Sequence, residues 1–537
     1  MLKRIFHKLG NLLMMPFREH FLFFIAFFFL ATSPYFLWYQ ISMQMIDLYA
    51  IFLIAHSLVF SYLITLLVCL VKPVFLQKTI QVILLALAAI CFAINFYCNF
   101  ALNSRFDADI VMLIMGTDIK ESKEFASTLL PKWIVLSIIG VFLVFIALWQ
   151  ISKRHQLNLG KKASYLALGG LCICVLLAAR NWKAWEDGPL KLFVDMTSME
   201  SIDDLKSHYT HPNITFIGEN PISTNVVLII GESFTRSHSS LYEYDKPTNP
   251  ELSAYRDSSL LFTFDNVDAP ASKTSNSILF MLSTYDKTDK SSDDSKKWYD
   301  YTSIVELMQE CGYVCYWFSN QERVNNSNCI ARIYADACDK QWFLSKSGKD
   351  DYILVDSTFE LASNLIHRDN NFIIYHLMGS HFDYSQRYPK EFAKFTEKDY
   401  LKQPQGHRAI LASYDNSILY NDYVVSQIIN LYKDKDAIIL YVPDHGQVMY
   451  RDPKSPHYYA HGNKDDKVSY ALGVEIPFMI FTTRHYQKNH PEIMQRIKAG
   501  YSQTKFWNSD DLPYLIMDLI GVKDVDGENV RIKSILN

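Results

Sequence analysis

The chain has 537 residues, half of them hydrophobic and 14% aromatic, with a formal net charge of −4. That length calls for two or more domains, and the mildly acidic balance gives no reason to expect nucleic acid as a partner. No CxxC pair occurs among the nine cysteines, which argues against a cysteine zinc cage.

Five uncharged apolar runs come first: Phe21–Tyr39, Leu48–Val71, Thr79–Leu102, Trp133–Ile151 and Ala163–Ala179. Each is near the roughly 20 residues that cross a bilayer core, and a five-helix transmembrane domain over 1–180 is expected. Basic residues fill alternate connections: Lys3, Arg4, Lys8 and Arg18, then Lys72 and Lys78, then Lys153, Arg154, Lys161 and Lys162. The positive-inside rule places these in the cytoplasm, so the N-terminus is inside and everything after Ala179 is outside. In a Gram-negative cell this is an inner-membrane protein with a periplasmic domain.

Between the third and fourth runs, Asn103–Lys132 spaces its apolar residues as an amphipathic surface helix does. Residues 181–222, with Trp182 and Trp185 at the interface, read as an interfacial bridge. Of the exported cysteines, Cys329 and Cys338 flank a short loop and are expected to pair, whereas Cys315 lies in the apolar run "YVCYWF" as a buried free thiol.

From 223 to 537 strands alternate with helical patterns. The strands are Val226–Ile230, Leu260–Phe264, Val314–Phe318, Phe372–His376, Ala437–Val442 and Pro477–Thr482. The helices are Ser277–Ser283, Thr302–Glu310, Asp356–His367, Ala409–Leu431 and Asp510–Ile520. Alternation with near-continuous apolar strands predicts an α/β domain with a mostly parallel central sheet.

Ligands of such sheets bind at the carboxyl ends of strands. Glu232 follows "VVLII", His381 follows "NFIIYHLMGS", and Asp444 and His445 follow "AIILYVP". Each alone reads as a cap or loop residue, but together they make an oxygen and nitrogen ligand set suited to Zn²⁺. His461 in "YYAHGN" is a further candidate, and Asn320 and Gln321 end another strand within reach of a phosphate. Pro270–Asp286 crowds hydroxyls at the start of a helix expected near Asn276. Such a hydroxyl is either an N-cap or a nucleophile, and as a nucleophile it needs a metal or a base to activate it. His376 reads as a packing residue, His238 as a satisfied loop residue, and Asp415 and Asn416 as supports of helix packing near the site.

The stretches "IIGESFTRSHSSLYEYDKPTNP", "TSNSILFMLSTYD", "IIYHLMGSHFDYSQRYP", "ASYDNSILYNDYVV", "YVPDHGQ" and "HYYAHGNK" resemble, in order, those of the membrane-bound phosphoethanolamine transferases in the alkaline phosphatase/sulfatase superfamily. "HLMGSHFDYSQRYP" looks closer to members that modify lipopolysaccharide core sugars than to those that modify lipid A. The resemblance implies a sulfatase-like catalytic domain. It makes Glu232, Asp444 and His445 the zinc ligands and Thr274 the nucleophile, itself in contact with the zinc. It puts His381 and His461 near the substrate phosphate or a second zinc. Thr117 and Glu121 resemble headgroup-contacting positions, although Leu113 stands where relatives carry Asn. Leu279 and Phe280 replace a Pro and a Cys, which removes a local disulfide.

The implied reaction moves phosphoethanolamine from phosphatidylethanolamine to a lipopolysaccharide acceptor through a phosphorylated threonine. A phosphoglycerol transferase would share these features. A plain sulfatase is disfavoured because no "CxPSR" occurs. A membrane receptor or scaffold with an inactive hydrolase domain is opposed by the intact set of Glu232, Thr274, Asp444 and His445.

Overall fold

The computed structural model describes residues 2–31, 48–101, 132–155, 158–180, 221–285, 298–321, 330–344, 350–362, 370–452, 462, 466–503, 505–525 and 527–537. The chain divides into two compact units, Met1–Met199 and Glu200–Asn537.

In the first unit, three helices among the described residues are long and apolar enough to cross a bilayer: Ile51–Leu70, Val74–Cys98 and Lys161–Arg180. A bent pair, Lys8–Arg18 and Phe21–Ala31, meets at 64° and makes up to four. Lys132–His155 is also helical and carries the expected apolar run Trp133–Ile151. By length and apolarity together, the expected count of five is not reached among the described residues. The first expected span is described only to Ala31, and the bend at Glu19 and His20 lies just before it. The helix Leu48–Leu70 packs on Lys161–Arg180 and on Leu2–Arg18, and Tyr62 Oη donates to Leu13 O at 2.8 Å. Leu67, Val82, Ile90, Leu136, Leu166 and Leu176 remain exposed. Such surface is costly in water and suited to lipid.

The second unit is built on a seven-stranded sheet. Its strands are β1 (Asn225–Gly231), β2 (Leu261–Phe264), β4 (Val314–Ser319), β5 (Lys340–Phe343), β6 (Asn371–His376), β7 (Ala437–Pro443) and β8 (Phe478–Thr482). The short β3 (Val267–Asp268) pairs outside it, with Trp507–Asn508. The order is β2-β8-β7-β1-β6-β4-β5. The run from β7 to β5 is parallel, while β8 lies antiparallel to both β7 and β2. The sheet is thus mixed but mostly parallel, and β5 adds a strand to the six expected.

β1 explains why such strands read as unbroken apolar runs. Every residue of "NVVLIIG" is buried, because both faces are covered. Successive side chains alternate between faces. Val226, Leu228 and Ile230 enter one core cluster, and Val227 and Ile229 enter the other. The 28-residue helix Gln405–Tyr432 covers the second face. The helix Ile304–Glu310 begins with a capping box in which Ser303 and Glu306 satisfy each other's backbone N–H groups.

Two cysteine expectations meet the structure differently. Cys315 is a buried free thiol whose Sγ lies 3.7 Å from Val305 O. Cys338 is also a free buried thiol, donating to Tyr334 O at 3.4 Å. It stands so in place of the expected bridge to Cys329, which lies outside the described residues.

Candidate metal centre and active site

Four neighbouring strands, β7, β1, β6 and β4, run parallel and send their carboxyl ends to one edge. Glu232 leaves β1, and Asp444 and His445 leave β7. Asp444 N donates to Gly231 O at 3.0 Å, which extends the strand pairing to the site itself. Ligand atoms of Glu232, Asp444 and His445 all lie within 4.8 Å of one another, and all three residues are buried.

Thr274 completes the cluster. The helix Thr274–Met281 begins two residues earlier than expected, with Lys273 at the cap position and no side-chain cap. Thr274 is therefore not an N-cap. Its Oγ1 donates to Glu232 Oε2 at 3.2 Å and lies 3.4 Å from His445 Nε2. His445 Nε2 is 3.4 Å from Glu232 Oε1 and 3.5 Å from Asp444 Oδ2. Ligands at tetrahedral zinc distances stand about 3.3 Å apart, so these spacings already fit one small cation. His445 Nδ1 pairs with Gly446 O at 2.8 Å, which turns Nε2 into the cluster.

The electrostatics also ask for a cation. Asp444 Oδ2 is buried and takes no hydrogen bond among the described residues. Burial, followed by the charge of Glu232, pushes the Asp444 carboxyl up to about 8. Burial alone would depress the His445 imidazole, but the charges of Asp444 and Glu232 raise it to about 9. Burial likewise opposes ionisation of Glu232. The hydrogen bond and charge of His445, then the charge of His381, outweigh that burial and hold the carboxyl well below its usual range. Near neutral pH the cluster thus holds protons that a divalent cation would displace. The donor set fits Zn²⁺.

The sulfatase family model matches residues 224–522. The chain belongs to the sulfatase family. Within it, the chain is 26% identical over 469 residues to phosphoethanolamine transferase EptC of Escherichia coli O18:K1:H7, covering 80% of this chain and 79% of that one. It is 29% identical over 308 residues to phosphoethanolamine transferase CptA of Salmonella typhimurium, covering 55% and 51%. A crystal structure of the C-terminal periplasmic domain of Escherichia coli EptC, solved with zinc, superposes with a TM-score of 0.53 at 25% identity, covering 61% of this chain and 90% of that one. The integral membrane protein lipooligosaccharide phosphoethanolamine transferase A of Neisseria meningitidis shares the fold at 18% identity, with a TM-score of 0.64 over 96% and 98% of the two chains.

Other residues expected at this sulfatase-family site fall in different places. His381 is half-buried, pairs through Nδ1 with Phe382 O at 2.7 Å, and is near enough to act on the charge of Glu232. Gln321 Nε2 donates to Glu232 Oε2 at 3.3 Å and to Leu377 O at 3.0 Å, so it braces the acid rather than standing apart from it. Asn320 turns inward instead, fully buried, and its Nδ2 donates to Asp351 Oδ1 at 2.8 Å. His461, Thr117 and Glu121 lie outside the described residues. Gly462, which follows His461, accepts a hydrogen bond from Ser272 Oγ at 2.8 Å, two residues from Thr274.

His376 is buried, packs edge-on to Trp317, and burial pulls its imidazole down to about 4, so it is neutral. His238 is tied to Asp415 at 2.6 Å, and Asp415 also takes Tyr244 Oη at 2.7 Å. Asn416 Oδ1 takes the N–H groups of Lys394 and Phe395, both at 2.8 Å.

The sequence reading missed Asp351. Its carboxylate takes the N–H groups of Met378 at 2.8 Å and Gly379 at 2.7 Å besides Asn320, and so locks the loop that leads to His381. An acid in the short segment before the helix Tyr352–Ala362 carries no local signal for that role.

Proposed function

We propose that this sulfatase-family chain transfers phosphoethanolamine from phosphatidylethanolamine to a lipopolysaccharide acceptor, a core sugar or lipid A, through a phosphoethanolamine-threonine intermediate. The observation that carries this reading is the Thr274 hydroxyl, 3.2 Å from Glu232 and 3.4 Å from His445. Similarity to phosphoethanolamine transferases over 80% of the chain supports it.

Glu232, Asp444 and His445, with Thr274 Oγ1, are the residues that would hold zinc. Bound there, zinc supplies positive charge that lowers the pKa of a hydroxyl and offsets the charge of a phosphodiester. Thr274 Oγ1 attacks phosphorus; the Oγ–P bond forms and the bond from phosphorus to the diacylglycerol oxygen breaks. The hydroxyl proton is lost and the leaving oxygen gains one. An acceptor hydroxyl or phosphate oxygen then attacks the same phosphorus, and Thr274 leaves and regains a proton. His381 is assigned to steady the phosphoryl charge or pass that proton, and His461 shares the assignment through its motif. The N-terminus of the helix Thr274–Met281 adds a favourable dipole for an anion. Gln321 keeps Glu232 oriented. Thr117 and Glu121 are assigned to the ethanolamine headgroup.

The basic residues flanking the apolar helices support an inner-membrane protein with a cytoplasmic N-terminus and a periplasmic catalytic unit. A membrane anchor suits a reaction in which donor and acceptor are both lipids. Mass spectrometry of lipopolysaccharide from cells with and without the protein tests the proposal. An added phosphoethanolamine mass, on core or lipid A, is expected. Transfer of label from phosphatidylglycerol instead would identify a phosphoglycerol transferase. No transfer and no bound zinc would identify a receptor or scaffold.

A further inference from the structure

Ser233 follows Glu232 directly and has a φ of 56° while only 1% exposed. This left-handed backbone is uncommon for a residue with a Cβ, and glycine would enter it at no steric cost. What serine offers here and glycine does not is a hydroxyl. Ser233 Oγ donates to Glu232 Oε1 at 2.6 Å, and Ser233 N donates to Asp444 Oδ1 at 3.1 Å. One residue therefore bonds both acids of the cluster. Its carbonyl accepts from Tyr414 Oη at 2.7 Å, and the same Oη accepts from Thr235 N at 2.9 Å. The turn is thus fastened to the helix Gln405–Tyr432. Strained backbone that persists because its surroundings fix it is concentrated at functional sites.

We propose that Ser233 is a positioning residue of the metal centre, whose left-handed turn and hydroxyl set the Glu232 and Asp444 carboxylates for a divalent cation before one binds. The N–H bond to Asp444 comes from the turn and survives any substitution that keeps it. The hydroxyl bond to Glu232 belongs to serine. Groups that orient a metal ligand from behind are commonly worth about 10–100-fold in metal affinity. This inference rests on reading the cluster as a zinc centre.

The test uses the full chain in detergent, stripped of metal, with zinc affinity measured by competition against a chromogenic chelator. Ser233→Gly relieves the backbone strain and removes the hydroxyl; Ser233→Ala removes only the hydroxyl. Both variants should bind zinc about tenfold or more weakly than wild type. The metal-free Tm should be held or raised in Ser233→Gly. If that variant does not fold, Ser233→Ala gives the same reading of affinity. Zinc affinity within twofold of wild type in a folded variant overturns the proposal. So does a loss of affinity that only follows a loss of metal-free Tm, which would make the role structural. Failure of wild type to bind zinc would instead overturn the metal-centre reading itself.

Discussion

Thr274 Oγ1 and His445 Nε2 lie 3.4 Å apart although 171 residues separate them in the chain. One begins a helix and the other ends a strand. Thr274 does no capping work for its helix. The Thr274→Ala variant should therefore lose transferase activity by at least about 10³-fold, with Tm little changed. Thr274→Ser, which keeps the oxygen, should retain part of the activity. Rates and melting curves on the three proteins check this.

The pH dependence has two opposite signs. Metal-free Asp444 is raised from 3.8 to about 8, burial first and then the charge of Glu232. His445 is raised from 6.5 to about 9, the charges of Asp444 and Glu232 outweighing burial. Groups with raised folded pKa values stabilise the protein below their unfolded pKa and lose that contribution as pH climbs through the folded value. The metal-free protein should therefore lose stability from about pH 4, where Asp444 begins to titrate in the unfolded chain, up to about pH 9, with His445 adding to the loss above about pH 6.5. Zinc must displace these protons, so its affinity should rise over the same window, about tenfold per pH unit for each proton released. Melting curves with and without zinc at pH 6.5, 7.5 and 8.5 should diverge as pH increases.

Much of this site was legible in the chain because parallel strands announce themselves as apolar runs. β1, β6 and β7 lie within a residue or two of their expected bounds, and their ends carry Glu232, the loop to His381, and Asp444 with His445. β5 was not legible. "KQWF" sits at the sheet edge with its first residue exposed, and so has no buried pattern to show. Asn320 and Gln321 looked equivalent at the end of β4, yet one faces Asp351 and the other Glu232. Adjacent residues beyond a strand point in opposite directions, and sequence does not say which direction is the site. The expected Cys329–Cys338 bridge rested on loop length alone, and Cys338 instead donates to the carbonyl one turn back in its helix.

Asp351 should matter more to stability than its loop position suggests. Asp351→Asn turns an amide N–H₂ toward the donors of Met378, Gly379 or Asn320 and leaves buried N–H groups unmatched. A loss of roughly 2–3 kcal/mol is expected, with a fall in activity as the His381 loop shifts. Denaturant unfolding measures the first and steady-state rates the second.

Gly379 has a φ of 49°, and a Cβ there would stand 2.9 Å from both the backbone N and O of Glu232. Gly379→Ala must therefore push the loop after β6 away from the acid. A destabilisation of roughly 1–3 kcal/mol is expected, with weaker zinc binding than in wild type. An alanine variant that matches wild type in both Tm and zinc affinity would contradict this account of the loop.

The most direct measurement is the mass of the protein after exposure to phosphatidylethanolamine and zinc with no acceptor present, followed by peptide mapping. A phosphoethanolamine group is expected on the peptide containing Thr274, absent in Thr274→Ala and discharged when acceptor is added. An unmodified Thr274 in protein that still transfers the headgroup, or a group carried on another residue, would contradict the proposed intermediate.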